Sequence, residues 1–126
     1  MRVAVVGAAG QLGRVTAARW AASHEVVGLT RADVDLTDSA ALDARLMAIR
    51  PALVINCSAF TNVDAAEDAP AVALAVNAVA VRTLAAVAAR LEATLVHYST
   101  DFVFDGVDRT TPYTEDDPPR PQSVYA

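Results

Sequence analysis

Short apolar runs alternate along this chain with longer stretches in which apolar residues recur every three or four places. Residues 3–6, 26–29, 52–56 and 93–98 are the short runs, rich in valine, isoleucine and leucine. They predict buried strands. Residues 11–22 carry Leu12, Val15, Ala18, Trp20 and Ala22, and residues 39–50 carry Leu42, Leu46 and Ile49 on one face. Both predict amphipathic helices. Thr37 or Asp38 can cap the second helix and Pro51 stops it. Residues 34–36 read as a short third strand or an extended piece. Residues 57–69 read as a loop with a helical turn around 63–67. Pro70 suits the first turn of a helix running to about residue 91. That helix is mostly alanine, valine and leucine, so it is either buried over much of its surface or paired with another helix. Residues 102–113 read as a loop with a small hairpin around Asp105 and Gly106, followed by a proline- and acid-rich stretch over 114–122.

Strands that alternate with helices imply parallel pairing through right-handed crossovers, an α/β doubly wound sheet of Rossmann type. In such sheets ligands bind beyond the carboxyl ends of the strands. Polar residues gather at those ends: 7–13, Arg31, Asp35, 59–61 and 98–101. A sheet of this type normally has one or two further strands. Residues 1–126 are therefore expected to be an incomplete N-terminal NAD(P)-binding domain, without the C-terminal substrate-binding part of its parent.

Composition narrows the partners. The chain has 126 residues and a formal net charge of −5, with no basic stripe to suit nucleic acid. Its ten basic residues are all arginine. The single Cys57 cannot form an internal disulfide, which favours a reducing compartment. No stretch reads as long and apolar enough to span a bilayer. The apolar start is too short for a signal peptide and runs directly into a glycine turn. The expectation is a soluble, cytoplasmic protein with no nucleic-acid or membrane partner and no metal ligands.

That glycine turn carries the first chemistry. Gly7, Gly10 and Gly13 follow a strand and open a helix. Glycine accepts the backbone angles of so abrupt a turn, and its missing side chain lets a pyrophosphate approach. The helix start then offers free N–H groups to that anion. A purely structural turn with close strand–helix packing is the other reading of three glycines alone. The second strand ends at Leu29, Thr30 and Arg31, with Asp33 displaced along the loop. Arg31 and Thr30 can both donate to a 2′-phosphate, which favours NADPH at least as much as NADH. Arg31 as a solvated loop charge is the competing reading.

Taken singly, the later motifs are ambiguous. Ser99, Thr100 and Asp101 can cap a strand end or make a turn. Asn77 either faces solvent or is buried and needs partners. His97 fits a satisfied core or interface histidine, and Cys57 a packed residue rather than a nucleophile.

Together they are more specific. Gly7-x-x-Gly10-Gln11-Leu12-Gly13, Asp35-Leu36-Thr37-Asp38, Ala59-Phe60-Thr61-Asn62-Val63-Asp64-x-Ala66-Glu67, Val76-Asn77, His97-Tyr98-Ser99-Thr100-Asp101-Phe102-Val103-Phe104-Asp105-Gly106 and Pro121-x-x-x-Tyr125 occur in order along the whole chain. This resembles the dTDP-4-dehydrorhamnose reductase family, extended short-chain dehydrogenases that reduce a nucleotide-linked 4-keto-6-deoxy sugar with NADPH or NADH. The resemblance implies that Gly10, Gln11 and Leu12 contact the cofactor pyrophosphate, with Gly7 and Gly13 shaping the turn. Asp35 and Leu36 would meet the adenine, Asp35 accepting from its exocyclic amine. Ala59, Phe60, Thr61 and Tyr98 would line the nicotinamide-side ribose. Thr100 and Asp101 would meet the substrate, Thr100 also as a catalytic hydroxyl, and Tyr125 would be the tyrosine of a Tyr-x-x-x-Lys pair.

A tyrosine phenol, with a free pKa of roughly 10, is a weak acid near neutrality, and a lysine ammonium beside it makes it a stronger one. That lysine would stand four places after Tyr125, and the 126 residues hold none. These residues alone are therefore expected to be inactive, with Tyr125 frayed at the chain end and the last sheet edge exposed. A non-catalytic dinucleotide-binding regulatory or sensor module on the same scaffold is the second reading. Another nucleotide-sugar reductase or epimerase is the third. A homodimer is left open for the parent.

Overall fold

The computed structural model describes residues 1–107 and 110–126. Strand β1 (Arg2–Val6) feeds helix α1 (Gln11–Ala21) through the glycine turn. Strand β2 (Glu25–Leu29), helix α2 (Ser39–Ile49), strand β3 (Leu53–Asn56) and the short helix α3 (Val63–Asp68) follow. A long helical rod comes next: α4 (Pro70–Leu74), one π turn (Ala75–Val79) and α5 (Ala80–Arg90). Strand β4 (Thr94–His97) and a 3-10 turn (Asp101–Val103) complete the regular structure.

The four strands are all parallel, in the order β2-β1-β3-β4. Val6 stands opposite both Leu29 and Asn56, and Asn56 opposite His97. The strands therefore end level, and the segments leaving them share one edge of the sheet. Alternation along β1 sends Ala4 and Val6 to one face and Val3 and Val5 to the other. The first face packs with Leu42, Leu46, Leu84 and Val87 from α2 and α5. The second packs with Ala17 and Trp20 of α1. Helices on both faces make the sheet a doubly wound Rossmann-type α/β fold, as expected.

The helix boundaries have local causes. Asp38 caps α2, accepting from the Ala41 N–H at 2.9 Å. Arg50 takes the left-handed conformation at its end (φ 51°), and Pro51 bars continuation. Arg2 Nη1 donates to the Ile49 carbonyl at 2.7 Å, tying the end of α2 to the first strand. Asn62 caps α3 in the same way as Asp38.

Three expectations change. Residues 34–36 form no strand: Val34 is buried in the core while Asp35 bends the chain back onto Thr37. Residues 102–107 and 110–113 hold no strand of the hairpin expected near Asp105, and residues 108 and 109 lie outside the described ones. Instead Tyr113 closes that loop, its ring stacked on Phe104 at 4.3 Å and its hydroxyl donating to Asp105 at 2.8 Å. Finally, the rod Pro70–Arg90 is long and apolar enough to cross a membrane by length and composition, contrary to the reading above. Its apolarity has a use in the fold, because Ala80, Leu84 and Val87 are buried beneath the sheet. Of the two readings for this helix, pairing describes it better. It lies against α2, joined by an Arg90–Asp43 ion pair and a Thr83–Ser39 hydrogen bond.

Candidate functional site

The glycine turn is built by close approach. A Cβ on Gly13 would lie 2.1 Å from the Gly7 carbonyl oxygen, so no other residue allows α1 to start so near β1. Gly7 has φ +77°, and a Cβ there would meet the Ser58 nitrogen at 2.9 Å. Gly10 is looser, with an added Cβ 3.3 Å from the Gly7 oxygen. It is the N-cap of α1, has no side chain to cap the helix, and is followed by no acidic residue in the first turn. The positive end of α1 is thus uncompensated by its own sequence, unlike α2 and α3. In front of it lies a cleft of about 600 Å³, whose walls include Gly7, Gly10, Arg31, Asp35, Leu36 and Ala59. Gln11, Leu12 and Gly13 lie on the adjoining first turn of α1 rather than in the walls.

The second wall is the segment after β2. Thr30 N and Oγ1 both donate to Asp33 Oδ2, at 2.8 and 2.6 Å. The Thr30 hydroxyl, followed by the Thr30 N–H, holds the Asp33 carboxyl below the usual range. Thr30 is therefore committed to Asp33, which corrects the reading of both Thr30 and Arg31 as free phosphate donors. Arg31 remains, exposed in the cleft wall and without an ion pair among the described residues. Asp35 Oδ1 accepts from Thr37 N and Oγ1, and these bonds, the backbone one first, hold its carboxyl low as well. Both carboxylates are stabilised as anions, and Arg31 adds a smaller favourable field at Asp35.

The third wall follows β3. Asn56 is buried, 2% exposed. Its Oδ1 accepts from Ser58 N and Oγ, and its Nδ2 lies 3.1 Å from His97 Nδ1. With Oδ1 occupied by donors, Nδ2 is the donor to an unprotonated His97 Nδ1. His97 is thus hydrogen-bonded, and from the end of β4, where it is exposed among the described residues, it steadies the loop. Asn77, in the π turn, clamps both backbone groups of Phe60: Phe60 N donates to its Oδ1 at 2.8 Å, and its Nδ2 donates to the Phe60 carbonyl at 3.0 Å. Asn77 is half-buried and partnered, which is nearer to the second of its two readings. Ala59 lies in the cleft, while Phe60 and Thr61 continue the same loop outside its walls. Burial pushes the Cys57 thiol above its usual range, with a hydrogen bond to Thr16 acting weakly the other way, which agrees with a packed rather than a nucleophilic cysteine.

Beyond β4, Tyr98 is half exposed. The Thr100 hydroxyl oxygen accepts from Phe102 N at 3.2 Å and caps the 3-10 turn, beside the exposed Asp101. None of these lines the 600 Å³ cleft. Tyr125 is half-buried, and its ring meets Phe102 edge-on at 5.6 Å. The preceding Val124 N–H donates to Glu67 Oε1 at 2.8 Å. The Phe102 contact joins the Thr100 turn to Tyr125. Sequence reasoning missed the Glu67 bond, since nothing in the motifs couples residues 57 places apart.

A family model described as the RmlD substrate binding domain matches residues 1–126. The dTDP-4-dehydrorhamnose reductase of Mycolicibacterium smegmatis is 46% identical over 125 residues, covering 98% of this chain and 38% of that protein. A crystal structure of a dTDP-4-dehydrorhamnose reductase from Clostridium acetobutylicum superposes with a TM-score of 0.94 at 38% identity, over 99% of this chain and 45% of that one. The dTDP-4-dehydrorhamnose reductase of Bacillus anthracis, solved in complex with NADP, gives 0.92 at 34% identity, over 98% and 44% of the two chains. The chain thus spans about two-fifths of the length of the curated relatives it matches.

Proposed function

The chain belongs to the family described as the RmlD substrate binding domain, and from that premise we propose that it is the dinucleotide-binding part of an NAD(P)H-dependent reductase. The substrate of the whole protein is a nucleotide-linked 4-keto-6-deoxy sugar, dTDP-4-dehydrorhamnose, reduced to dTDP-L-rhamnose in the cytoplasm. The observation that carries this reading is the uncapped glycine start of α1 opening onto the 600 Å³ cleft. A Cβ at Gly7 or Gly13 would collide with backbone, so the cradle depends on glycine, and an uncompensated helix start suits a pyrophosphate.

The residues divide the work. The N–H groups of Gln11 and Leu12 on the first turn of α1 hold the pyrophosphate, which approaches over the bare backbone of Gly10, whose own N–H is bonded to the Gly7 carbonyl. Leu36 covers the adenine, and Asp35, whose Oδ1 is held by Thr37, accepts from the exocyclic amine. Arg31 meets a 2′-phosphate where one is present, so NADPH serves at least as well as NADH. Ala59 to Thr61, steadied by Asn77, border the nicotinamide ribose together with Tyr98. When bound, the reduced nicotinamide supplies hydride to the ketone carbon. Tyr125 gives a proton to the ketone oxygen, Thr100 donates a second hydrogen bond there, and Asp101 orients the sugar. The tyrosine's lysine partner has no counterpart among these 126 residues, so turnover belongs to the full-length protein.

The test is oxidation of NADPH and of NADH by the full-length protein with dTDP-4-dehydrorhamnose. Turnover is expected, with Tyr125→Phe and Thr100→Val each losing about a hundredfold or more in kcat. Wild-type turnover by Tyr125→Phe, or no oxidation of either cofactor by the unaltered protein, would overturn the proposal.

A further inference from the structure

Glu67 stands on the last turn of α3, among the helix's carbonyl ends. A carboxylate there gains nothing from its own helix, because the helix dipole opposes it. Its one strong bond goes elsewhere, to the backbone N–H of Val124 at 2.8 Å. One residue earlier, Ser123 Oγ accepts from Ala126 N at 3.1 Å, the i to i+3 contact of a helix-capping serine. In that arrangement the Val124 N–H has no partner within its own turn and needs an acceptor from outside. Glu67 supplies it, and Tyr125 is the next residue.

The side chain of Tyr125 is held separately. Its ring meets Phe102 edge-on, and Phe102 N is bonded to the Thr100 hydroxyl oxygen. The ring contact and the backbone bond hold Tyr125 from two sides, and the backbone bond sets where its Cα stands. We propose that Glu67 is a positioning residue for Tyr125, acting through the Val124 backbone to set the tyrosine against Thr100. The inference rests on the reading of Tyr125 as the proton donor.

Two substitutions separate reach from charge in the full-length protein. Glu67→Gln keeps an acceptor oxygen at the same length, whereas Glu67→Asp keeps the charge but falls one methylene short. Positioning predicts that Glu67→Gln holds kcat within about threefold of wild type and that Glu67→Asp loses about tenfold, with the KM for NADPH within about twofold in both. Wild-type kcat in Glu67→Asp would overturn the inference. So would a Glu67→Gln protein as impaired as Glu67→Asp, or a raised cofactor KM in both, since these mark a charge effect or a general loss of structure. Tyr125→Phe, measured alongside, keeps the two ideas apart. If it turns over normally, the tyrosine reading fails. If it is inactive while Glu67→Asp is normal, only the positioning role fails.

Discussion

Asn77→Ala should cost about 2 kcal/mol of stability and loosen the loop that borders the cleft. The side chain makes two neutral hydrogen bonds to the backbone N–H and carbonyl of one residue, at 2.8 and 3.0 Å. Each such bond contributes about 1 kcal/mol net, and a polar group left unpaired in full burial costs roughly 1–3 kcal/mol. Phe60 is only partly buried, so water recovers some of that loss and the sum stays near about 2 kcal/mol. With a urea slope of about 2 kcal/mol/M, the denaturation midpoint should fall by about 1 M. Asn77→Asp is the sharper probe. It keeps an acceptor for Phe60 N but sets a carboxylate oxygen against the Phe60 carbonyl. A protonated carboxyl can donate to that carbonyl, so the folded state raises the new group's pKa. The Asn77→Asp protein should therefore gain stability relative to wild type as pH falls and lose it as pH rises through that raised value. Urea titrations of the three proteins at several pH values provide the assay. An Asn77→Ala midpoint unchanged from wild type, or an Asn77→Asp deficit independent of pH, would refute the clamp.

Further expectations concern the cleft. Gly13→Ala puts a Cβ 2.1 Å from a carbonyl oxygen, so it should cost at least about 3 kcal/mol in a denaturation experiment. Gly10→Val meets only a 3.3 Å contact at its Cβ, so it should weaken cofactor affinity more than stability, read by titrating NADPH. Arg31→Ala should raise the Kd for NADPH by about tenfold or more and leave NADH nearly unchanged, because a charge-assisted bond to phosphate is lost. Equal effects on the two cofactors would return Arg31 to the role of a solvated loop charge.

The strands, the two long helices and their caps were legible because each rests on local pattern: short β-branched runs, a 3.6 period, Asp38 before α2 and Pro51 after it. The glycine turn was legible for the same reason, although its order of strictness was not. Which glycine tolerates least depends on how closely α1 passes the Gly7 carbonyl, a distance between elements. Residues 34–36 misled because Val34 and Leu36, alternating with Asp33 and Asp35, imitate the period of a strand. The rod was legible as one apolar helix from Pro70, but its 21 residues were not weighed against the thickness of a bilayer. Glu67 and Asn77 show the limit most clearly. Both stand inside recognisable motifs, yet their partners, Val124 and Phe60, are fixed only when the rod has folded across the sheet edge.

The π turn at Ala75–Val79 carries a consequence for how this helix tolerates change. A π turn holds one residue more than the α turn it replaces, and each residue advances an α-helix by about 100°. The half after it presents Ala80, Leu84 and Val87 to the sheet, while Asn77, inside the turn, reaches Phe60. Deleting Ala78 or Val79 would turn the π turn into a regular α turn. It would also swing the preceding half by about 100° against the following one. The core could keep its face or the Phe60 clamp could keep its own, but not both. A change that makes the helix more regular would therefore uncouple the hydrophobic core from the cleft.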